Sequence, residues 1–155
     1  MSISIAARKS KARVLQKWIA EKVSELTGFD CGKDNDIESR PMGQSGCDVR
    51  LSADVRKKFP FSVEAKNSES WDLPAAIRQA QSNLYDETEW LVFLKKNNVD
   101  PIAILDAEIF FQILKHADLS LCEFGANNER IRKRVSKSKE KVEKDKKSKT
   151  KKPKI

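Results

Sequence analysis

FSVEAKN, residues 61 to 67, is the stretch on which the fold turns. Phe61, Val63 and Ala65 alternate with Ser62, Glu64 and Lys66, the period of a strand with one apolar face. Glu64 and Lys66 then project from one side, and Val63 and Ala65 from the other. Sixteen residues before Glu64 stands Asp48, at the start of the apolar-rich run CDVRL (47 to 51) and just after the turn-rich PMGQSG (41 to 46). That run is expected to pair antiparallel with 61 to 66 and to bring the Asp48 carboxylate beside Glu64. Two carboxylates and a lysine so placed suit phosphodiester hydrolysis. The reaction adds negative charge to an anionic phosphorus centre and is helped by a divalent ion that polarises the phosphoryl oxygen and acidifies its water. Hard carboxylate oxygens favour Mg²⁺. On this reading Asp48 and Glu64 are metal ligands, the Ala65 backbone carbonyl supplies a further oxygen, and Lys66 holds the attacking water or a developing oxyanion. A Glu-x-Lys triplet alone has little specificity, and an ordinary half-exposed strand would look the same. The combination with Asp48 and its glycine-rich turn carries the argument.

Around this centre the chain reads as α/β. Val14, Leu15, Trp18, Ile19, Val23 and Leu26 recur at helical spacing with Gly28 as a stop, which predicts a helix over 8 to 27. Residues 36 to 42 form a first strand and 47 to 51 a second. Ser52 caps a short helix that ends near Phe59 and Pro60. Beyond the 61 to 67 strand, Pro74 opens a helix reaching about Tyr85. Trp90 to Leu94 and Ile102 to Leu105 are strands split by a polar turn, and Asp106 caps a last helix to Lys115. The order is helix, three strands, helix, two strands, helix.

Composition limits the chemistry. The only histidine is His116 and the only tyrosine Tyr85, so sites built on several histidines are excluded. No glycine-rich phosphate loop is present, and no nucleotide cofactor is expected. Cys31, Cys47 and Cys122 lie far apart without paired ligand spacing, which argues for reduced thiols rather than a zinc site. With 155 residues the chain suits one domain, and no apolar run is long enough to span a bilayer. A cytoplasmic location is expected.

The net charge of +8 is unevenly spread. Residues 126 to 155 hold fourteen Lys or Arg and four Asp or Glu, a net of +10, so residues 1 to 125 carry −2. Sparse apolar content predicts a disordered tail at 126 to 155 beside a globular domain at 1 to 125. Such a tail binds phosphate backbones without reading sequence, or serves solubility alone. Arg8, Lys9, Lys11 and Arg13 form a second basic run at the start of the first helix. Further DNA-binding candidates are Ser39 and Arg40 before the glycine turn, Asn67 after Lys66, and Arg78. Gln79 is placed to reach the site or the scissile phosphate.

The runs SRPMGQSGCDVRLS (39 to 52), FPFSVEAKN (59 to 67) and IRQAQSN (77 to 83) resemble the PD-(D/E)XK nuclease superfamily. Within it they resemble the small Holliday junction resolvase-like endonucleases of bacteriophages, related to archaeal resolvases. The likeness spans roughly residues 8 to 115. It implies a restriction-endonuclease-like core, with a mixed central sheet flanked by helices. It also implies that Asp48, Glu64 and Lys66 are the catalytic set, with Mg²⁺ as cofactor and Mn²⁺ able to substitute. The implied substrate is branched DNA, in a bacterial or phage-infected cell. Symmetric cutting of a junction needs two active sites, hence a homodimer. Those resolvases usually carry a Glu on the first helix, where this chain has Gln16, an auxiliary ligand without charge. Two alternatives remain open at this level: a restriction-like or repair nuclease acting on duplex or flap DNA, and a non-catalytic nucleic-acid-binding protein of the same fold.

Overall fold

A computed structural model describes residues 5 to 40 and 45 to 117. The basic segment 126 to 155 and Cys122 lie outside the described residues, as do Pro41 to Gln44. The chain divides into two compact units, Met1–Phe110 and Phe111–Ile155. The candidate site belongs to the first. No helix among the described residues is long and apolar enough to cross a membrane.

The elements are α1 (Ile5–Thr27), β1 (Ile37–Ser39), β2 (Val49–Leu51), α2 (Ala53–Lys58), β3 (Phe61–Asn67), α3 (Leu73–Ser82), β4 (Glu89–Lys95), β5 (Ile102–Ile104) and α4 (Ala107–His116). This is the predicted order. Ser52 caps α2 by accepting from the Val55 N–H, and Asp72 caps α3 by accepting from the Ala75 N–H. Most boundaries fall within three residues of expectation, and three of the differences bear on the site. β1 is shorter than 36 to 42, β2 begins at Val49 rather than Cys47, and α3 stops at Ser82. Tyr85 therefore lies in the loop after α3 and not on the helix. Its N–H donates to Ser62 Oγ at 2.9 Å, tying that loop to β3.

The expected single mixed sheet is corrected to two sheets. β1 and β2 form an antiparallel pair, whereas β3, β4 and β5 form a mixed sheet with β3 parallel to β4 and β4 antiparallel to β5. The parallel pair needs a crossover, and α3 occupies it. β2 does not extend the larger sheet for a reason visible at Asp48. Its N–H donates to the Val63 carbonyl at 2.9 Å, but the next outward donor of β3, the Ala65 N–H, bonds to Asp48 Oδ2 at 2.7 Å. A side chain has taken the place of a neighbouring strand, and the ladder ends there.

The alternation of β3 sorts the two cores. Val63 and Ala65 pack with Leu15, Ile19, Ala20 and Val23 of α1 and with Ile37, Val49 and Leu51. On the opposite face Val92 and Leu94, which pair with Glu64 and Lys66 across the sheet, pack with Ala76 and Ala80 of α3. β3 thus runs between two helical layers. The stripe of α1 is rotated from the sequence expectation. Val14 and Leu26 are 64% and 70% exposed, while Gln16, which no apolar pattern includes, is buried at 3%. Ile19 is 1% exposed at the centre of this contact. Ile19→Ala should cost about 3 kcal/mol through lost burial and a residual cavity, measured as a lower urea midpoint with an unchanged slope. A loss below about 1 kcal/mol would mean that α1 is not docked as described.

Candidate active site

Asp48 stands at the free edge of β3, where groups from both layers meet. Gly46, with φ of +100°, gives the preceding chain a turn in the left-handed region, and a side chain there would collide with the Arg40 guanidinium. Arg40 is engaged in holding this turn. Its backbone N–H donates to the Asp48 carbonyl at 2.9 Å, and its guanidinium donates to the Ser45 carbonyl and, at 3.2 Å, to the Tyr85 hydroxyl. Arg56 lies over the Tyr85 ring at 4.8 Å. The Cys47 thiol donates to the Asn83 carbonyl at 2.8 Å. The Arg40–Tyr85 and Cys47–Asn83 bonds join residues more than thirty positions apart, so no local spacing announced them.

Asp48 divides its carboxylate between two layers. Oδ2 accepts from the Ala65 N–H, and Oδ1 accepts from Gln16 Nε2 at 2.8 Å. Because the carboxylate accepts, the amide orientation of Gln16 is fixed, and its Oε1 is left buried without a hydrogen-bond donor. Glu64, 1% exposed, lies beside Asp48, close enough to hydrogen-bond when one of the two is protonated. With both ionised, Glu64 Oε1 faces the Lys66 ammonium and Oε2 has no hydrogen-bond donor. Lys66 Nζ is ion-paired with Glu64 Oε1 at 2.5 Å and donates to Gln79 Oε1 at 2.9 Å. On a strand, the N–H and C=O of a residue face the same edge, so the Ala65 carbonyl points toward the side that Asp48 occupies.

Five sequence candidates, Gln16, Asp48, Glu64, Lys66 and Gln79, are thus joined by direct contacts, and Ala65 contributes its backbone. The remaining candidates are more scattered. Asn67 Nδ2 donates to the Lys11 carbonyl at 2.8 Å, and Lys11 Nζ donates to Asn97 at 2.9 Å and lies 3.8 Å from Glu69. Lys9 and Arg13 are exposed on α1, and Arg78 is exposed on α3. The Arg8 side chain lies outside the described residues. Ser39 is half-buried in β1 opposite Val49. Arg40, read from sequence as a clamp on the DNA backbone, has its guanidinium committed to Ser45 and Tyr85.

Burial raises both acids above the ordinary carboxylate range. For Asp48 it is opposed by the Ala65 N–H, by Lys66 and by Gln16; for Glu64 it is opposed by Lys66 and reinforced by Asp48. No group of three or more His, Cys, Asp or Glu side chains among the described residues is placed to hold a metal. The oxygens gathered here come from two carboxylates, a buried amide and a backbone carbonyl. Two of them, Gln16 Oε1 and Glu64 Oε2, are buried acceptors with neither a hydrogen-bond donor nor an ion-pair partner. Such a set fits a hard divalent cation, which would satisfy the orphaned oxygens and offset two adjacent buried charges.

This arrangement carries a stability cost with a definite sign. A carboxyl whose folded pKa is raised keeps its proton in the native state after the unfolded chain has released it. Stability therefore falls as pH rises from the ordinary carboxylate range toward the raised folded values. Glu64→Gln should remove much of that slope and stabilise the metal-free protein at neutral pH by roughly 1–2 kcal/mol, a few degrees in Tm. Thermal melts across pH in EDTA measure this, and a variant less stable than the parent at pH 7 would contradict it.

Comparison with protein-family models, curated proteins and solved structures returned no match. The functional reading therefore rests on the site.

Proposed function

We propose that the protein is a divalent-metal-dependent DNA endonuclease that hydrolyses phosphodiester bonds in branched DNA, in the manner of the Holliday junction resolvase-like enzymes its motifs resemble. The observation that carries the proposal is the meeting of Gln16, Asp48, Glu64 and Lys66 at one strand edge, with two buried oxygens, Gln16 Oε1 and Glu64 Oε2, lacking any donor. Asp48, Glu64, the Gln16 amide oxygen and the Ala65 carbonyl would hold Mg²⁺, which when bound supplies charge neutralisation at phosphorus and a water of lowered pKa. Lys66 places a cation where negative charge builds in the transition state. Gln79 holds that ammonium from α3 and limits its wandering. Asp48 is fixed by two donors before any ligand arrives, so its orientation costs little on binding. Lys9 and Arg13 on α1 supply further positive charge for the backbone on either side of the scissile phosphate. Action on a four-way junction calls for a homodimer that presents two such sites.

The test is cleavage of labelled four-way junction, flap, duplex and single-stranded DNA with Mg²⁺, Mn²⁺ or EDTA. Paired symmetric nicks confined to the junction and abolished by EDTA are expected. Equal cleavage of all substrates would replace the resolvase reading with a general nuclease. Tight binding without cleavage in any metal would leave a binding protein.

A further inference from the structure

Beside Lys66, on the α3 face of the sheet, lies a cavity of about 150 Å³ that nothing in the site described above fills. Trp71 and Leu94 contribute its aromatic and apolar walls, Ser70 and Asp72 add polar atoms, and Lys66 and Gln79 stand at the junction with the candidate active site. The Trp71 indole is held in place. Its Nε1 donates to the Lys95 carbonyl at 3.3 Å, and Lys96 Nζ lies 5.2 Å from its ring centre. A held aromatic costs little to order when a ligand stacks on it. A cavity of this size accepts a benzene ring in an apolar core, and one with polar groups at its border suits a planar heterocycle.

We infer that this cavity receives one nucleobase, swung out of the helical stack, from a nucleotide next to the scissile phosphate. The inference rests on the nuclease reading and deepens it. Taking a base out of the stack is least costly where pairing is already broken, so the pocket favours branch points, flaps and single strands over continuous duplex. Lys66 links the two sites: it contacts Glu64 in one and lines the other. A phosphate held near Lys66 leaves its neighbouring base within reach of Trp71. The apolar walls and Trp71 favour a base over a second phosphate, which would want several donors.

Two substitutions address the pocket and leave the candidate catalytic set alone. Ala75, which also lines the cavity, can be enlarged as Ala75→Leu to fill it, and Trp71→Phe keeps an aromatic wall. The substrates are junctions with 2-aminopurine, or an abasic residue, at each nucleotide flanking the cut. With the parent protein an abasic residue at one flanking position should weaken binding about tenfold, and 2-aminopurine there should be quenched relative to an unstacked reference. Ala75→Leu should lose the quenching and become indifferent to the abasic residue, and Trp71→Phe should keep both responses. Binding and quenching are read in EDTA as well as Mg²⁺, so they do not depend on turnover. Cleavage insensitive to abasic residues at every flanking position would overturn the pocket and leave the nuclease reading standing. Quenching and abasic sensitivity with no cleavage in any metal would overturn catalysis and support the pocket. DNA neither bound nor cut would overturn both.

Discussion

Lys66→Ala is expected to reduce single-turnover DNA cleavage by roughly 10²–10⁴-fold while leaving the fold intact. The side chain is 36% exposed and reaches outward from β3, so its removal opens no core cavity. What is lost is a cation already in position, 2.5 Å from Glu64 Oε1 and steadied by Gln79. An ammonium fixed before the reaction stabilises developing charge without reorganising at that moment, and bulk solvent cannot match that. Lys66→Arg should recover little, because a planar guanidinium directs its donors differently from a compact ammonium. The substitution also removes the cation that lowers the Glu64 pKa, so the metal-free variant should hold the Glu64 proton to still higher pH. Rates measured at saturating enzyme separate chemistry from binding, and thermal melts check the fold. A variant cutting within about threefold of the parent, with Tm unchanged, would remove Lys66 from the mechanism.

How much of this was legible beforehand depends on the distance over which each feature is encoded. The alternation in FSVEAKN is local, and β3 spans Phe61–Asn67 as predicted. The cap at Ser52 and the proline that opens α3 are local too, as are the exposed and buried faces of the strand. The sheet arrangement was misread because the pairing of Cys47 to Leu51 depends on which partner takes the free donors of β3. A carboxylate taking the Ala65 N–H leaves no periodic trace. The rotation of α1 was missed for a related reason. Val14 and Leu26 fit an apolar stripe by composition, but the buried face runs through Leu15, Gln16, Ile19, Ala20 and Val23, and the Gln16 amide finds its acceptor, Asp48, thirty-two positions away. Gln16 and Gln79 could be nominated from sequence, but their polar identities gave no hint that one would be buried and the other would hold Lys66.

The candidate site departs from what the stability of the folded chain alone would favour. Two carboxylates that raise each other's cost, and a buried amide oxygen left without a donor, are what a folding optimum would avoid. Their persistence beside well-packed neighbours such as Val63 and Val92, at 1% and 0% exposure, localises the strain to the candidate active site.

Removal of residues 126 to 155 should produce the largest change in DNA affinity, and the change should depend on salt. The segment carries a net charge of +10, whereas residues 1 to 125 carry −2, so almost all long-range attraction for a polyanion resides in it. Each phosphate neutralised releases condensed counterions, and the logarithm of the binding constant falls with the logarithm of salt concentration by about 0.9 per contact on duplex DNA. If roughly six of the segment's fourteen basic residues engage the backbone, the slope should shrink by about five on truncation. Affinity at low salt should fall by two or more orders of magnitude. Single-turnover cleavage at saturating enzyme should change far less, since the groups around Asp48 and Glu64 lie in the other part of the chain. Truncation thus moves binding with chemistry nearly constant, and Lys66→Ala moves chemistry with binding nearly constant. Salt titrations of both proteins distinguish the two, because only truncation alters the slope. An unchanged slope after truncation would mean that the basic segment does not touch DNA and that the backbone contacts come from α1 and α3 instead.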